Sequence, residues 1–439
     1  MAGGLKAAIV GSGPAGMYTA GALNSKCPGC QIDILDKLAT PYGLVRAGVA
    51  PDHQTTKNVS RAYDKIMEND NVRFVGNLGL GDDISIAMLR EIYDVVVLAV
   101  GTPKDRTLGI PGEDLEGVFG AQTFVYWYNG HPEFRDAVPH LDITNAIVIG
   151  NGNVALDVAR VMLRTPKEMA QSDLAEHAGE HIFSSPVRTI RIVGRRGPEH
   201  AQFSSKELSE LKQMDGAIPY CDASVIPEHF NSGDKKTDKV VNTNLDLLRE
   251  YSQNVPSGNA RKLSLDFYLS PVAILGDDKI EAVRLEKNVI KDGKAVGTGE
   301  FVEYPCDLLV TCIGYEMTML DGLTIEHGKI KNTEGRVDDG LYVVGWAKRG
   351  PSGTIGTNRL DSQAVVDRIL KDRCDDTSSS KPGPKGLDDY VRENNIQTVS
   401  FEDWQKIDMA EKESAAGPSP RRKFVRKRDM LSLIRESNA

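Results

Sequence analysis

Residues 6–36 read KAAIVGSGPAGMYTAGALNSKCPGCQIDILD and decide the fold expected for this chain. An apolar strand runs into the pattern Gly11-x-Gly13-x-x-Gly16, which opens a helical segment that leads to a second strand ending at Asp36. The first glycine permits a tight turn, the second lets the backbone approach a pyrophosphate, and the third allows close packing of helix on strand. The stretch is therefore predicted to form a complete nucleotide-binding βαβ unit.

Asp36 discriminates between the dinucleotides that this unit can hold. It follows the turn at about the 20-residue separation typical of a carboxylate that accepts hydrogen bonds from a ribose diol. A carboxylate repels a 2′-phosphate, whereas the free N–H groups and dipole at the start of the helix attract a pyrophosphate. We expect FAD or NAD at this first turn, and not NADP.

A second unit begins at residue 146, where the chain reads AIVIGNGNVALDVARVML. Its turn has the form G-x-G-x-x-A, in which alanine is a permitted replacement for the third glycine. An insertion over roughly residues 165–186 follows the helix, and the next strand is expected from Thr189 to Gly194. The sequence thus predicts two dinucleotide-binding units, the second interrupted after its helix.

Arg195 and Arg196 stand at the end of this later strand, at the place where the first unit has Asp36. Guanidinium groups match both the charge and the bidentate geometry of a phosphate. We therefore expect the pair to bind the 2′-phosphate of NADP(H), and a solvated strand end is the alternative. Because a flavin accepts a hydride and releases electrons singly, the two units together predict an NADPH-dependent flavoprotein reductase.

The composition limits the other classes of function. A chain of 439 residues exceeds what one core usually serves and suggests two or three domains. The formal charge of -9 argues against non-specific binding of nucleic acid. No run approaches the roughly 20 apolar residues of a membrane-spanning helix, and no export or transit peptide is apparent.

Two further features have a simple structural interpretation. The six cysteines are sparse and fit a reducing compartment. The sequence Cys27-Pro28-Gly29-Cys30 has the form of a redox dithiol, but a Pro-Gly turn between the first helix and the second strand is the plainer interpretation. The basic run RRKFVRKR at residues 421–428 is expected to form a solvated face.

Four more stretches carry recognisable motifs: PYGLVRAGVAPDHQTTKN (41–58), FVYWYNGHP (124–132), VGRRGPEHAQFSSKELSEL (193–211) and GWAKRGPSGTIGTN (345–358). They resemble the adrenodoxin reductase family, the mitochondrial ferredoxin–NADP⁺ reductases and their bacterial ferredoxin-reductase relatives. The motifs occur in family order and with family-like spacing. The likeness covers nearly the whole chain and is weakest from about Cys221 to Ser264.

The resemblance implies an α/β fold of two Rossmann-like, three-layer dinucleotide-binding domains. In this glutathione-reductase-like arrangement an NADP domain is inserted into a discontinuous FAD domain. We expect the FAD domain over residues 1–105 and 311–439, with a C-terminal tail from about 377, and the NADP domain over residues 106–310. Helical segments are expected in the tail at Leu387 to Asn394 and Glu402 to Lys412.

The resemblance also implies the residues that bind the cofactors. With the glycines of the first turn, the FAD contacts fall on Gly11, Gly13, Ala15, Gly16, Asp36, Leu44, Leu80, Trp346, Gly353, Thr354 and Ile355. The NADP contacts fall on Asn151, Gly152, Asn153, Val154, Arg195, Arg196, Glu207 and Gly353. Asp36 stands where many family members have glutamate, and Gly345-Trp346 where the wider flavoprotein class has Gly-Asp. Without the family, Leu44 and Leu80 read as core residues and Glu207 as an exposed helix residue.

The implied reaction is hydride transfer from NADPH to FAD, followed by two single-electron transfers to an acidic, adrenodoxin-like [2Fe–2S] ferredoxin. This ferredoxin would feed a cytochrome P450 or iron–sulfur assembly. His53 and Asp157 resemble a family pair proposed to assist proton movement, although both also read as structural residues. No metal site is expected. Candidates for the docking patch are basic: Lys206, Lys212, Lys235, Lys236, Lys239 and Arg249.

The sequence leaves two other functions open. A disulfide reductase needs a dithiol beside the flavin, and the CPGC sequence lies in the wrong loop for it. A diaphorase or a redox sensor would work without a ferredoxin partner. The family places the chain, expected to be a monomer, in the mitochondrial matrix if it is eukaryotic, with its leader absent, and in the cytoplasm if it is bacterial.

Overall fold

Two parallel sheets, each covered by helices, organise the chain in the computed structural model, which describes residues 4–255, 260–373 and 379–438. Cys374 and the expected start of the tail near residue 377 lie outside the described residues. The arrangement is the α/β fold expected from the two glycine-rich turns. Within the described ranges, no helix is both long and apolar enough to cross a membrane.

The first sheet has six strands and contains the first glycine-rich turn. In spatial order its strands are Arg336–Asp338, Leu341–Val343, Val95–Leu98, Lys6–Val10, Gln31–Asp36 and Val72–Gly76. All neighbours are parallel except the edge pair of strands 336–338 and 341–343. The sheet thus takes strands from before and after the residues that form the second sheet, as an inserted second unit requires.

The second sheet also has six strands and is parallel throughout. In spatial order its strands are Val118–Gly120, Leu308–Thr311, Asn145–Ile149, Thr189–Val193, Arg261–Asp266 and Ala217–Cys221. A three-stranded antiparallel sheet is formed by Leu269–Leu275, Ala282–Lys291 and Lys294–Pro305. The strand before the arginine pair ends at Val193, one residue earlier than the sequence indicated.

Two short pairs of strands complete the β-structure. Lys104–Asp105 and Tyr315–Glu316 pair antiparallel where the chain leaves the first sheet and returns to it. Ile325–Glu326 pairs with Lys329–Ile330 in a small hairpin. The connections between the two sheets therefore run side by side, and the exact domain boundaries stay a prediction.

Fifteen α-helices fall within the described residues. They span Pro14–Lys26, Leu44–Ala47, Gln54–Lys57, Ser60–Met67, Ile86–Ile92, Ala121–Asn129, Asn153–Leu163, Glu176–Ser184, Ser205–Glu210, Lys235–Ser252, Trp346–Arg349, Thr357–Asp372, Pro384–Glu393, Phe401–Glu413 and Lys427–Asn438. The insertion contains the helix at 176–184, and the two tail helices lie within a few residues of their expected positions. Cys27 and Cys30 are buried in the turn before the second strand, where burial raises the pKa of the Cys30 thiol.

The basic run at residues 421–428 is a solvated face only in part, which corrects the interpretation from sequence: Arg422, Lys427 and Arg428 are exposed, but the other basic side chains are not. Lys423 is buried, and its ammonium lies 3.1 Å from the Asp173 carboxylate. Arg421 pairs with Asp408 at 2.5 Å, and Arg426 pairs with Asp136 at 3.1 Å. The run is held by acidic groups from distant parts of the chain, because a buried ammonium or guanidinium needs such partners.

The first turn supports a test of the fold by a matched pair of glycine substitutions. A Cβ at Gly16 would collide with the Gly11 carbonyl oxygen, whereas a Cβ at Gly13 would meet nothing within 4 Å. We expect Gly16→Ala to lower the free energy of unfolding of the apoprotein by about 1–3 kcal/mol. Gly13→Ala should leave it nearly unchanged in urea unfolding. Equal losses would contradict the packing described here.

Candidate functional site

The first turn has an open approach above Gly13. The helix Pro14–Lys26 begins immediately after this glycine and has no side-chain cap, so its first N–H groups are available to a ligand. No atom lies within 4 Å of a Cβ built on Gly13. The cradle has room for the pyrophosphate of a dinucleotide, and its occupation by FAD stays a prediction.

Asp36 fixes this turn from the end of the second strand. One carboxylate oxygen accepts from the Ser12 N–H at 2.9 Å and also contacts the Ser12 hydroxyl, while the other accepts from the Leu38 N–H at 3.0 Å. Burial raises the pKa of Asp36, against the effect of these hydrogen bonds. The side chain thus orders the turn itself, a role that its position in the motif did not reveal.

Two of the other FAD candidates, Leu44 and Trp346, follow glycines that pack against the first turn. Gly43, next to Leu44, packs so closely that its Cβ would be 3.0 Å from the Gly13 Cα. Gly345, next to Trp346, would place its Cβ 2.6 Å from the Ala15 Cβ. The structure therefore brings three separate motifs of the sequence to one turn.

Most of the remaining FAD candidates lie in or just after the short helix Trp346–Arg349. The Trp346 indole N–H donates to the Ser352 carbonyl at 3.2 Å, beside the exposed Gly353-Thr354 backbone. Ile355 is half-buried just before the helix Thr357–Asp372. Leu80 lines a cavity of about 1020 Å³ that is also lined by Lys348, in the helix starting at Trp346.

The second turn repeats the open approach of the first. No atom lies within 4 Å of a Cβ built on Gly152, and the uncapped helix Asn153–Leu163 begins at the next residue. The Asn153 side chain accepts from the Ser204 N–H at 2.8 Å, and the Asn151 carbonyl accepts from the Gln202 N–H at 2.7 Å. Val154 follows in the first helical turn. The turn is thus tied to the segment after the arginine pair.

Arg195 and Arg196 are anchored by their backbone and not by their side chains. The Arg195 carbonyl accepts from the Asn288 amide at 2.8 Å, and the Arg196 carbonyl accepts from the Tyr268 N–H at 3.2 Å. Neither guanidinium has a hydrogen bond or an ion pair with any residue that the structure describes. A fixed backbone with two unpaired, solvent-accessible guanidinium groups suits the binding of a phosphate.

A largely buried charged cluster joins residues 52–53 to the helices Asn153–Leu163 and Ser205–Glu210. The Arg160 side chain is fully buried; it donates to the Asp52 carboxylate at 2.8 Å and forms an ion pair with Asp157, whose carboxylate oxygen lies 2.8 Å from Arg160 Nη2. His53 Nε2 lies 2.8 Å from a Glu210 carboxylate oxygen and 2.9 Å from Arg160 Nη2. The proposed proton-transfer pair, His53 and Asp157, is thus brought together through Arg160, which sequence reasoning missed.

Glu207 lies in the same cluster. Its carboxylate is 3.4 Å from His53 Nε2 and 3.6 Å from Arg160 Nη1. The donor atoms of His53, Glu207 and Glu210 lie within 4.8 Å of one another, as metal ligands do, but Arg160 already faces both carboxylates. The predicted place of Glu207 beside the adenosine 2′-phosphate stays a prediction, since the described contacts link it to the cluster.

The cluster shifts the pKa values of its members. Burial and the charge of Arg160 oppose the charged form of His53, but the hydrogen bond to Glu210 and the carboxylates of Asp157 and Asp52 together outweigh them and raise the pKa of the imidazole above 6.5. Burial raises the pKa of Asp157, although Arg160 and His53 favour its charged form. The imidazole is therefore protonated more readily than a free one, and it lies next to a carboxyl group that ionises less readily than usual.

The fold and these two turns define a protein with two Rossmann-like dinucleotide-binding units. No family model matches the chain. The mitochondrial NADPH:adrenodoxin oxidoreductase of Arabidopsis thaliana is 38% identical over an alignment of 460 residues, gaps included. The alignment covers 98% of this chain and 95% of that protein. The NADPH-ferredoxin reductase FprA of Mycobacterium tuberculosis is 38% identical over 448 residues, which cover 98% of each.

A solved structure of Mycobacterium tuberculosis FprA in complex with NADPH superposes with a TM-score of 0.94 at 37% identity. The superposition covers 98% of this chain and 99% of that chain. The chain belongs to the family of NADPH:adrenodoxin oxidoreductases and NADPH-ferredoxin reductases. The resemblance inferred from the motifs is confirmed.

The His53–Glu210 contact predicts a pH-dependent stability. Because the folded-state pKa of His53 is raised, its stabilising effect is complete below the ordinary pKa of 6.5 and is lost as the pH rises through the raised value. The difference in unfolding midpoint between wild type and His53→Gln should therefore shrink as the pH rises from acidic to alkaline. Glu210→Gln should remove most of this dependence, and a constant difference would contradict the assignment.

The arginine pair predicts the preference between nicotinamide cofactors. Charge-assisted hydrogen bonds contribute about 1.5–3 kcal/mol each. Replacing both arginines by alanine should therefore weaken the binding of NADPH by about 100-fold or more. NADH, which lacks the 2′-phosphate, should be nearly unaffected in equilibrium titrations. Arg191→Ala is the matched control, since Arg191 lies on the same strand and pairs with Asp266 at 2.8 Å. Equal losses for both cofactors would contradict the prediction.

Proposed function

We propose that this chain is an FAD-containing NADPH:ferredoxin oxidoreductase of the adrenodoxin type. The observation that carries the proposal is the opposite charge at the ends of two equivalent strands, Asp36 in the first unit and the Arg195-Arg196 pair in the second. A carboxylate favours FAD, and the unpaired guanidinium groups favour NADPH. Membership of the reductase family supports the same assignment.

The cofactor sites follow from the geometry of the two turns. We propose that FAD lies across the first turn, with its pyrophosphate above Gly13 and its ring near Trp346 and residues 353–355. NADPH would bind at residues 151–154 and the arginine pair. The FAD domain would comprise residues 1–105 and 311–439, and the NADP domain residues 106–310.

The protein mainly has to position the cofactors. Bound FAD supplies a centre that accepts a hydride and passes electrons on one at a time. The second turn would orient NADPH, and the loop at 353–355 would hold its nicotinamide end near the flavin. His53 and Asp157 both contact Arg160. The two residues would hold or transfer a proton near the flavin. Correct placement of the reactants supplies most of the rate enhancement in such a reaction.

The electron acceptor is proposed to be an acidic [2Fe–2S] ferredoxin, which would feed a cytochrome P450 or iron–sulfur assembly. Among the six basic candidates, Lys206, Lys212, Lys235, Lys236 and Lys239 are exposed. Arg249 instead bonds the Pro227 and Glu228 carbonyls, and Lys212 pairs with Glu250. We therefore narrow the docking patch to the four exposed lysines whose ammonium groups form no hydrogen bond or ion pair within the described residues: Lys206 and, at the start of the helix Lys235–Ser252, Lys235, Lys236 and Lys239. The protein would act as a monomer, in the matrix of a eukaryote or the cytoplasm of a bacterium.

The docking patch can be tested by charge reversal. Replacing Lys235, Lys236 and Lys239 by glutamate should slow ferredoxin-dependent reduction of cytochrome c by about tenfold or more at low ionic strength. Ferricyanide reduction should stay unchanged, because it needs no docked protein. The matched control is the same triple reversal at Lys287, Lys291 and Lys294, exposed on the three-stranded sheet.

Two results would overturn this part of the proposal. Equal slowing by both triple variants would mean that only the total charge matters. Electron transfer to ferredoxin that does not depend on ionic strength would mean that docking is not electrostatic.

A further inference from the structure

The turn at residues 41–46 is held in a conformation that it would not adopt alone. Tyr42 has φ +82°, in the left-handed region that non-glycine residues rarely occupy. Its N–H donates to the Ser12 carbonyl at 3.2 Å, and the next residue, Gly43, packs against Gly13. The turn therefore borders the phosphate cradle, and its strain has to be compensated by other contacts.

The helix Phe401–Glu413 supplies these contacts from the other end of the chain. Trp404 is buried, its ring packs edge-on against Tyr42 at 5.9 Å, and its indole N–H donates to the Tyr42 hydroxyl at 3.3 Å. The Arg46 guanidinium lies 5.2 Å from the centre of the same indole. Tyr42 and Arg46, on either side of the turn, thus both contact the ring of Trp404.

Glu411, two turns further along this helix, holds Arg46 directly. Its carboxylate is fully buried and receives two bonds from Arg46, at 2.5 Å and 2.9 Å. It also accepts from Arg421 at 3.1 Å and from the Phe424 N–H at 2.8 Å. With four donors around it, the carboxylate is fully satisfied only when Arg46 is in place.

We propose that Glu411 is a positioning residue for FAD, which acts through Arg46 to keep the turn at residues 41–46 against the phosphate cradle. The inference rests on the proposed function in that it takes FAD to occupy the first turn. Without the carboxylate, Arg46 is left as an unpaired buried charge, and the strained Tyr42 backbone loses one of its supports. The turn then moves away from Gly13 and FAD is released faster.

The test measures FAD release from the holoprotein, as the rise of flavin fluorescence after dilution. Glu411→Gln should accelerate release by about tenfold or more, and Glu411→Asp, which keeps the charge but shortens the reach, should lie between this variant and wild type. Glu413→Gln is the matched control, since Glu413 is exposed on the same helix. Its release rate should equal that of wild type.

Two further measurements separate positioning from general stability. If Glu411 acts through Arg46, then Arg46→Met combined with Glu411→Gln should release FAD no faster than the quicker single variant. If Glu411→Gln does not fold, Trp404→Leu, which leaves the buried charges paired, should still accelerate release. The proposal is overturned if the folded Glu411→Gln variant unfolds at a lower temperature but releases FAD at the control rate, or if the two single effects multiply.

The assay involves neither NADPH nor ferredoxin, so its outcome is distinct from that of the proposed function. A wild-type protein that retains no FAD overturns the proposed function itself. A wild-type protein that retains FAD, with Glu411→Gln releasing it at the control rate, overturns only the role of Glu411.

Discussion

The fully buried guanidinium of Arg160 is one of the charged contacts that join the two dinucleotide units. Arg160 lies on the helix that starts at the second turn, and its fully buried side chain bonds Asp52, from the segment that follows the first unit. Breaking such a pair leaves an uncompensated charge and costs about 3–5 kcal/mol. Because Arg160 also contacts His53 and Asp157, the contact that holds the units together also organises the candidate proton-transfer site.

The segment at residues 41–58 is the common partner in this arrangement. Its Arg46 is bound by Glu411 of the C-terminal helix, and its Lys57 bonds Asp173 of the insertion at 2.6 Å. Burial works to raise the pKa of Asp173, but the ammonium groups of Lys423 and Lys57 outweigh it and hold that pKa below the usual range. Together with Asp52, which pairs with Arg160, these residues connect one short stretch beside the proposed flavin site to three distant parts of the chain.

The sequence predicts those parts of the site that depend on local geometry. The turns at Gly13 and Gly152, and the contrast between Asp36 and the arginine pair, follow from motif spacing and strand ends. The pairing of Arg160 with Asp52 does not, because which charges meet in the interior depends on packing between segments about 100 residues apart. The burial of Lys423 was missed for the same reason, since nothing near it in sequence indicates Asp173. An arginine on the buried face of an otherwise apolar helix was the available signal for Arg160.

The most direct test of the account is an anaerobic reaction of the flavin-loaded protein with one equivalent of NADPH and an excess of oxidised [2Fe–2S] ferredoxin. We expect NADPH to bleach the flavin absorbance much faster than NADH does. We also expect the absorbance to recover as two equivalents of ferredoxin become reduced, since a hydride carries two electrons. A flavin bleached equally well by NADH, or one that recovers only when oxygen is admitted while the ferredoxin stays oxidised, would contradict the account.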